Sequence, residues 1–468
     1  MGKEELQFDK MINTPVKKLI IKLGIPTTIS MLVTSIYNIA DTLFVARYNL
    51  DASSAVGLIF PLMAIIQAIG FMLGMGCGNM ISSLLGEKEN DKAKAYGSST
   101  FYIGLLIGVI LTIFGLIFLN PLVKLFGAND LNIKFTKDYG LFILIGSPIM
   151  IGSFILNNIL RAEGKARFSM IGLTFGGILN IILDPIFIFS LDLGALGAAI
   201  ATLISQIVSF IILLYMFISK RAIIDLSIKR ISLKSSLYFE VIKLGFPSFC
   251  RQGLAAVATL VLNKQAVWIA VDDQTATAIQ SAVSIVGKIF MVIFSISLGI
   301  GQGYQPVCGY NYFSKNYKRV KEAMLFTFFF AVTVITVLSI LLFIFSNQVI
   351  NFFITENGKS ITDPMMVRAI ARNIVNYTCI TQPIMTINVI CNMSYQSMRK
   401  KFNATLLSCC RQGIFYFPLV FILPKLLGIK GIELTLPGAE FLTAIFSIPF
   451  FISLIKHFNK KEKEVLQN

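Results

Sequence analysis

Twelve long apolar runs, separated by short polar segments, dominate this chain of 468 residues. To within a few residues, the runs extend over 23–46, 54–80, 98–119, 139–160, 169–191, 195–218, 243–269, 276–304, 322–346, 374–396, 404–427 and 434–455. A helix needs about 20 mostly apolar residues to cross the hydrocarbon core of a bilayer. Transmembrane strands are shorter and alternate in polarity. The pattern therefore predicts an all-α integral membrane protein with twelve transmembrane helices.

Composition agrees with a membrane protein and excludes most soluble classes. Hydrophobic residues make up 55% of the chain and charged residues 14%, whereas soluble domains have about 25% charged residues. The net charge of +17 would suggest nucleic acid as the partner of a soluble protein. On a chain with these apolar runs, we instead expect cationic loops beside an anionic membrane face and no nucleic-acid partner.

The distribution of basic residues predicts the orientation. If the N-terminus is cytoplasmic, the inside segments hold 28 Lys and Arg and the outside segments hold nine. This excess places both termini on the cytoplasmic side of the cell inner (plasma) membrane. The four remaining basic residues lie within the runs: Arg251, Lys264, Lys288 and Arg411.

The two halves of the chain repeat each other. Lys-Leu-Gly-Ile-Pro at 22–26 resembles Lys-Leu-Gly-Phe-Pro at 243–247, and the Gly-x-Gly-x-Gly pattern at 74–78 recurs at 299–303. Six spans per half bring both halves in from the same side, which predicts a parallel repeat around a central cleft. We expect an N-lobe at 1–218, a cytoplasmic linker at 219–242, a C-lobe at 243–456 and a cytoplasmic tail at 457–468. Such an architecture favours a transporter that works by alternating access; a duplicated scaffold without transport is the alternative.

Two acids lie well inside the apolar runs of the first half. An ionisable group inside a membrane is costly and marks a functional site by default. Asn180 precedes Asp184 by four residues and so shares its helix face, while Asp41 and Thr202 lie in neighbouring runs. Two carboxylates, an amide and a hydroxyl suit a proton or a hard cation such as Na⁺. The alternative is that each acid hydrogen-bonds neighbouring backbone.

Prolines and second-half charges complete the candidate set. Pro26 could bend the first run, and Pro185 would loosen the helix beside Asp184; both are candidate hinges. Glu440, a few residues into the last run, is interpreted as interfacial. The second-half bases are interpreted as hydrogen-bond donors within their lobe, with counter-ions for an anionic substrate as the alternative.

Other function classes lack their signatures. The sequence has no Walker motif, so this chain does not itself use ATP as its energy source. Its single histidine, His457, lies in the predicted tail, and no nucleophile elbow or acidic metal motif is present. An enzyme is therefore not predicted. An integral-membrane enzyme or receptor remains the alternative from outside transport.

Taken together, these features resemble the multidrug and toxic compound extrusion (MATE) family. The likeness covers nearly the whole chain and rests on the spans, on Pro26 and Pro247, on the Arg-Ala-Glu-Gly-Lys loop at 161–165 and on Gln305-Pro306 followed by Gly-Tyr-Asn at 309–311. The resemblance implies a secondary active antiporter that exports amphipathic, cationic drugs or toxic organic compounds in exchange for H⁺ or Na⁺. It also implies that Asp41, Asn180, Asp184 and Thr202 bind the coupling cation, including Na⁺ if sodium is used, and that Asn157, Asp41 and Asp184 line the substrate cavity.

This resemblance leaves several points open. Other branches of the family place a carboxylate in spans seven and ten, where this chain has none in the corresponding positions, so coupling is expected in the N-lobe. The choice between H⁺ and Na⁺ stays open, and a lipid-linked precursor flippase of the same superfamily is the alternative within transport. No cofactor is expected besides the coupling ion, and the expected partners are small molecules and membrane lipid around a monomer.

Overall fold

A computed structural model describes residues 2–48, 50–128, 132–357 and 363–467, and these residues fold as helices and short connections without a strand. The α-helices, in chain order, are α1 (Lys3–Asn13), α2 (Val16–Tyr48), α3 (Leu50–Gly86), α4 (Asn90–Ile117), α5 (Leu119–Leu125), α6 (Ile133–Ala162), α7 (Ala166–Pro185), α8 (Gly194–Ile218), α9 (Ser235–Ile269), α10 (Asp273–Phe313), α11 (Tyr317–Ile344), α12 (Ser346–Asn357), α13 (Pro364–Ser397), α14 (Lys401–Cys409), α15 (Tyr416–Leu427) and α16 (Ile429–Gln467). The all-α prediction is confirmed.

Eleven spans in the described residues are long and apolar enough to cross a membrane. The predicted seventh span is α9, which has 35 residues but carries four charged side chains and is not among the eleven. The predicted eleventh span is α14 and α15 joined by a π-helical turn at Cys410–Ile414. Two short helices, α5 and α12, follow the third and ninth spans at equivalent places and were not predicted.

Helix packing repeats between the halves. Within the first half, α3 packs on α6 and α6 on α8; in the second half, α10 packs on α13 and α13 on α16. The side chain of Asn157 donates to the carbonyl of Ser169 at 3.2 Å, and that of Asn392 donates to the carbonyl of Ala404 at 2.5 Å. Each bond joins residues twelve positions apart in the sequence, and the two bonds lie at equivalent junctions, α6 with α7 in one half and α13 with α14 in the other. The two lobes therefore share a common fold.

The lobes meet through two equivalent helix pairs, α2 with α10 and α3 with α9. Small residues allow this approach, because a Cβ at Gly245 would overlap the carbonyl oxygen of Met72, and one at Gly76 would overlap that of Val241. Gly299 likewise faces Thr28 of the opposite lobe, whereas Gly78 and Gly301 each face their own lobe. Gly303 faces Gly24 of the opposite lobe, just as Gly76 faces Gly245, the equivalent glycine of the other half. By environment, Gly76 therefore matches Gly303, two residues away from the pairing that the sequence motif suggests.

One end of the bundle carries α1, the segment between α8 and α9, and the end of α16; we call it the terminal end. Cross-lobe hydrogen bonds among the described residues lie in the terminal half or near mid-helix. Thr27 donates to the carbonyl of Gly299 at 2.6 Å, and Arg399 donates to Ser83 at 2.9 Å and to Glu87 at 3.3 Å. The lobes are thus held together most firmly at this end.

Candidate functional site

The N-lobe polar site lies in the half away from the terminal end. Asp184 is the next-to-last residue of α7, and Pro185 ends that helix and begins a π-helical turn at Ile186–Ser190. The amide of Asn180, one turn earlier, donates to Oδ1 of Asp184 at 3.1 Å and to Oγ1 of Thr202 at 3.3 Å. A proline cannot donate a backbone hydrogen bond, so the helix changes its hydrogen-bonding pattern directly beside the acid.

Asp41 joins this site from α2. Its Oδ2 accepts a hydrogen bond of 3.3 Å from the hydroxyl of Tyr139, near the start of α6. Asp41 is 8% exposed and Asp184 is fully buried. One turn earlier, α2 and α7 are in contact, since Tyr37 lines the same cavity as Asn180 and lies 3.2 Å from the position of a Cβ on Gly177. The structure therefore brings together the four residues predicted to bind a cation, on α2, α7 and α8.

Three acceptor oxygens of this cluster have no hydrogen-bond partner among the described residues: Oδ1 of Asp41, Oδ2 of Asp184 and Oδ1 of Asn180. A buried acceptor without a partner is costly, and more so when it is charged. A proton or a hard cation would satisfy such oxygens. The donor set therefore fits the predicted coupling ion.

A cavity adjoins the cluster between α2, α6, α7 and α8, and Asn180 and Thr202 form part of its lining. The hydroxyls of Ser153, Ser205 and Ser209 on its wall have no partner among the described residues. Buried polar groups of this kind are usually satisfied by water. The cavity therefore offers hydrogen-bonding partners for water beside Asn180 and Thr202.

The remaining predicted site residues lie elsewhere. Asn157 is 1% exposed and donates to the hydroxyl and carbonyl of Ser169, so it holds α6 against α7 and does not line the cavity beside Asp184. Pro26 is buried within a continuous α2, where Ser30 donates to its carbonyl at 3.0 Å. A substrate contact at Asn157 and hinges at Pro26 and Pro185 stay predictions.

The interpretation of Glu440 as interfacial is wrong. Glu440 is fully buried, and its Oε1 accepts hydrogen bonds from Arg411 at 2.7 and 3.1 Å and from Gln382 at 2.7 Å. Thr381 donates to Oε2 at 2.7 Å. The acid lies eleven residues inside α16, on the face toward α13 and the π-helical turn, so packing removes it from the interface. Arg411 is thus a donor within its lobe, as predicted.

Comparison with known proteins assigns the family. The MatE family model matches residues 26–186 and 276–422, one segment in each half. The chain belongs to the MatE family. The multidrug export protein MepA of Staphylococcus saprophyticus is 28% identical to this MatE chain over 445 residues, 95% of each protein. MepA of Staphylococcus aureus strain MRSA252 is also 28% identical, over 95% of each protein.

Solved structures agree with the fold of this MatE protein. A multidrug resistance MATE family transporter in its outward-facing conformation has a TM-score of 0.89 and 24% identity, with 98% of this chain and 99% of that chain covered. A MATE crystallised in complex with MaL6 has a TM-score of 0.89 and 25% identity, covering 98% and 100%. The predicted two-lobe fold is confirmed, and the protein is a membrane transporter rather than an enzyme.

Sequence reasoning missed two parts of the sites in this MatE protein. Tyr139 stands at the edge of its apolar run, where tyrosine is common at membrane interfaces, so nothing in the sequence marks it as a partner of Asp41. The charge pairing of Arg411 with Glu440 joins residues 29 positions apart on different helices. The presence of one acid and one base in neighbouring runs was the available signal.

Proposed function

We propose that this protein is a secondary active antiporter that exports amphipathic organic cations in exchange for H⁺ or Na⁺. The observation that carries the proposal is the set of unpaired acceptor oxygens on Asp41, Asp184 and Asn180 in the N-lobe. These groups bind a coupling cation, and an organic cation competes for the same negative charge. Both relatives named above are called multidrug export proteins, which supports drugs as the substrates.

Exchange requires that the two cations bind at each other's expense. When H⁺ or Na⁺ occupies the acids, the affinity for the drug falls. Because the coupling free energy is reciprocal, bound drug lowers the affinity for the ion by the same factor. Substrate enters from the cytoplasm or inner leaflet while the acids are empty. It leaves on the opposite side when the incoming ion occupies Asp41 and Asp184.

Alternating access follows from the two-lobe packing. Rocking of the lobes about the α2–α10 and α3–α9 contacts would open one end of the cleft and close the other. The cross-lobe bonds in the terminal half support a state closed at that end. The excess of basic residues in the segments that connect helices at this end supports a cytoplasmic terminal end. The proposed location is the plasma membrane, and the proposed transport unit is a monomer.

Proteoliposome efflux tests the proposal. Vesicles loaded with rhodamine 6G, a permanent organic cation, are driven separately by a pH gradient and by a Na⁺ gradient. Efflux with one gradient identifies the coupling ion, and the absence of efflux with both contradicts the proposal.

Two variants test whether efflux depends on the two predicted acids rather than on the loss of any one negative charge. Asp41→Asn and Asp184→Asn are each expected to abolish driven efflux while the protein remains folded. Asp192→Asn is the matched control, because it removes one exposed carboxylate near the same end, at a φ of 54° that asparagine tolerates. Wild-type efflux in Asp41→Asn would contradict the assignment of the site.

A further inference from the structure

A second cavity lies between the two lobes, in the terminal half of the bundle. Helices α3 and α6 of the N-lobe and α10 of the C-lobe form its wall. Its polar lining consists of amides, one hydroxyl group and one guanidinium group, and no acidic residue among those described: Asn79, Ser82, Asn158, Arg161, Gln302 and Gln305. Each of these residues is at most 6% exposed. The cavity is therefore bordered by a positive charge that has been withdrawn from water.

Neutral groups hold the Arg161 side chain. Its Nη1 donates to Oε1 of Gln302, across the lobe boundary, and its Nη2 donates to Oδ1 of Asn158. The same Nη2 lies 3.9 Å from Sδ of Met75. In the part of the chain that the structure describes, no carboxylate forms an ion pair with Arg161. A buried cation without a counter-ion is costly, and an anion in the adjoining cavity would remove that cost.

Neither the acid nearest in sequence nor the helix dipole compensates this charge. The carboxylate of Glu163 accepts hydrogen bonds of 2.8 Å from the backbone amides of Ile223 and Ile224 and pairs with Lys165 at 3.2 Å. It is therefore directed at the segment between α8 and α9. The bond from Arg161 to Asn158, three residues earlier, directs the guanidinium group back along α6. That direction leads away from the negative, C-terminal end of the helix.

Both lobes keep N–H donors for an anion in this cavity. A guanidinium group can only donate, so Gln302 must present its Oε1 to Arg161, and its Nε2 is directed elsewhere. That Nε2 donates to none of the described residues, and neither does Nε of Arg161. Guanidinium and amide N–H groups are suitable donors to an anion. One positive charge and space for a water-sized particle suit a small monovalent anion.

We propose that this cavity binds a small monovalent anion such as chloride between Arg161 of the N-lobe and Gln302 of the C-lobe. The anion neutralises the guanidinium group and accepts hydrogen bonds from both lobes. Because these donors separate when the lobes part at the terminal end, the bound anion stabilises the state that is closed there. The site is distinct from Asp41 and Asp184, which lie in the other half of the bundle, and it does not depend on which cation is exchanged.

Chloride binding to the full chain tests the site. Equilibrium dialysis with radioactive chloride measures binding to the protein purified in detergent, and we expect it to saturate at a single ion per chain. Thermal unfolding gives a second readout, since replacing gluconate by chloride at constant ionic strength is expected to raise the melting temperature. Arg161→Gln removes the charge and is expected to weaken chloride binding by about tenfold, the loss of a hydrogen bond to a charged group.

Gln302→Glu decides the test if Arg161→Gln does not fold. This variant keeps an acceptor for Arg161 and places a carboxylate beside the guanidinium group, so it is expected to fold and to lose the effect of chloride. Arg399→Gln is the charge-matched control. Arg399 also joins the lobes at the terminal end, but it pairs with Glu87 and does not line the cavity. We expect Arg399→Gln to bind chloride as wild type does.

Three results would overturn the anion site. The first is the absence of saturable chloride binding to wild-type protein. The second is unchanged chloride binding in Arg161→Gln or Gln302→Glu, and the third is a loss in Arg399→Gln as large as the loss in those two variants. A chloride-dependent rise in melting temperature that persists in Gln302→Glu would assign the rise to a general salt effect and would likewise contradict the site.

Discussion

Tyr139 donates its hydroxyl group to one carboxylate oxygen of Asp41 over 3.3 Å, and the other oxygen of Asp41 has no partner among the described residues. The acid is thus held in place on one side and left available on the other. The tyrosine comes from α6 and the acid from α2, so the contact also ties the position of α2 to the body of the N-lobe. This pair is therefore where ion occupancy and helix position can be coupled.

Replacement of Tyr139 by phenylalanine tests that contact. The change removes the donor and leaves the ring, so we expect a loss of about 1–3 kcal/mol in the free energy of unfolding if Asp41 is charged. Thermal unfolding in detergent measures the loss. In an Asp41→Asn background the same change is expected to cost less, and equal costs in both backgrounds would contradict a direct interaction.

The buried pair of Glu440 and Arg411 gives a second prediction. Glu440→Gln removes the counter-ion of a buried guanidinium group, which is expected to destabilise the protein by about 3–5 kcal/mol. The double variant Glu440→Gln, Arg411→Gln leaves no unpaired charge and is expected to be more stable than Glu440→Gln alone. If thermal unfolding shows that the stability losses from the two substitutions simply add in the double variant, the two side chains do not depend on each other.

Gly245 provides a test of the lobe contact. A Cβ at this position would overlap the carbonyl oxygen of Met72, so Gly245→Ala is expected to force α9 and α3 apart at a cost of about 1–3 kcal/mol. Gly253→Ala on the same helix is the control, because no atom lies within 4 Å of a Cβ there. That control is expected to stabilise the helix by up to about 1 kcal/mol. Equal melting temperatures for the two variants would contradict the close contact.

Arg399 joins the lobes at the terminal end, where it also lies 4.3 Å from the ring of Phe313. Arg399→Gly removes its bonds to Ser83 and Glu87, and glycine accepts its φ of 58°. We expect this variant to open the terminal end more often. A cysteine introduced at Ser82, in a background without the seven native cysteines, should then react faster with a maleimide.

Lys315→Gly is the matched control for that variant. Lys315 is an exposed basic residue with a φ of 63° at a comparable turn of the C-lobe, and no ion pair among the described residues involves it. We expect it to leave the labelling rate unchanged. Equal acceleration by both glycine variants would assign the effect to the turn backbone and contradict a role for the Arg399 side chain.

Local patterns in the sequence carried much of the prediction. Apolar runs predict spans because each span must satisfy its backbone and match the bilayer by itself. Asn180 and Asp184 could be placed on one face because their spacing is a property of a single helix. Asp41 could be grouped with Asp184 because these are the two acids that lie well inside the runs of the first half.

Contacts between helices were harder to predict. The glycine patterns at the ends of α3 and α10 suggest one pairing of the repeats. In the structure, glycines with equivalent surroundings are offset from that pairing by two residues. The reason is that the packing of each helix decides which glycine meets the other lobe. Glu440 appeared interfacial from its distance to the end of a run, whereas the burial that it shares with Arg411 depends on α16 and the π-helical turn together.

The sequence by itself determined that this chain is a twelve-span membrane protein of two related halves, with acids in the first half and bases in the second. Each of these features depends on composition or on the period of one helix. Only the tertiary structure decided that Tyr139 contacts Asp41 and that Glu440 neutralises Arg411. Such contacts depend on the rotation and tilt of several helices at once, which long-range packing sets and the period of a single helix does not contain.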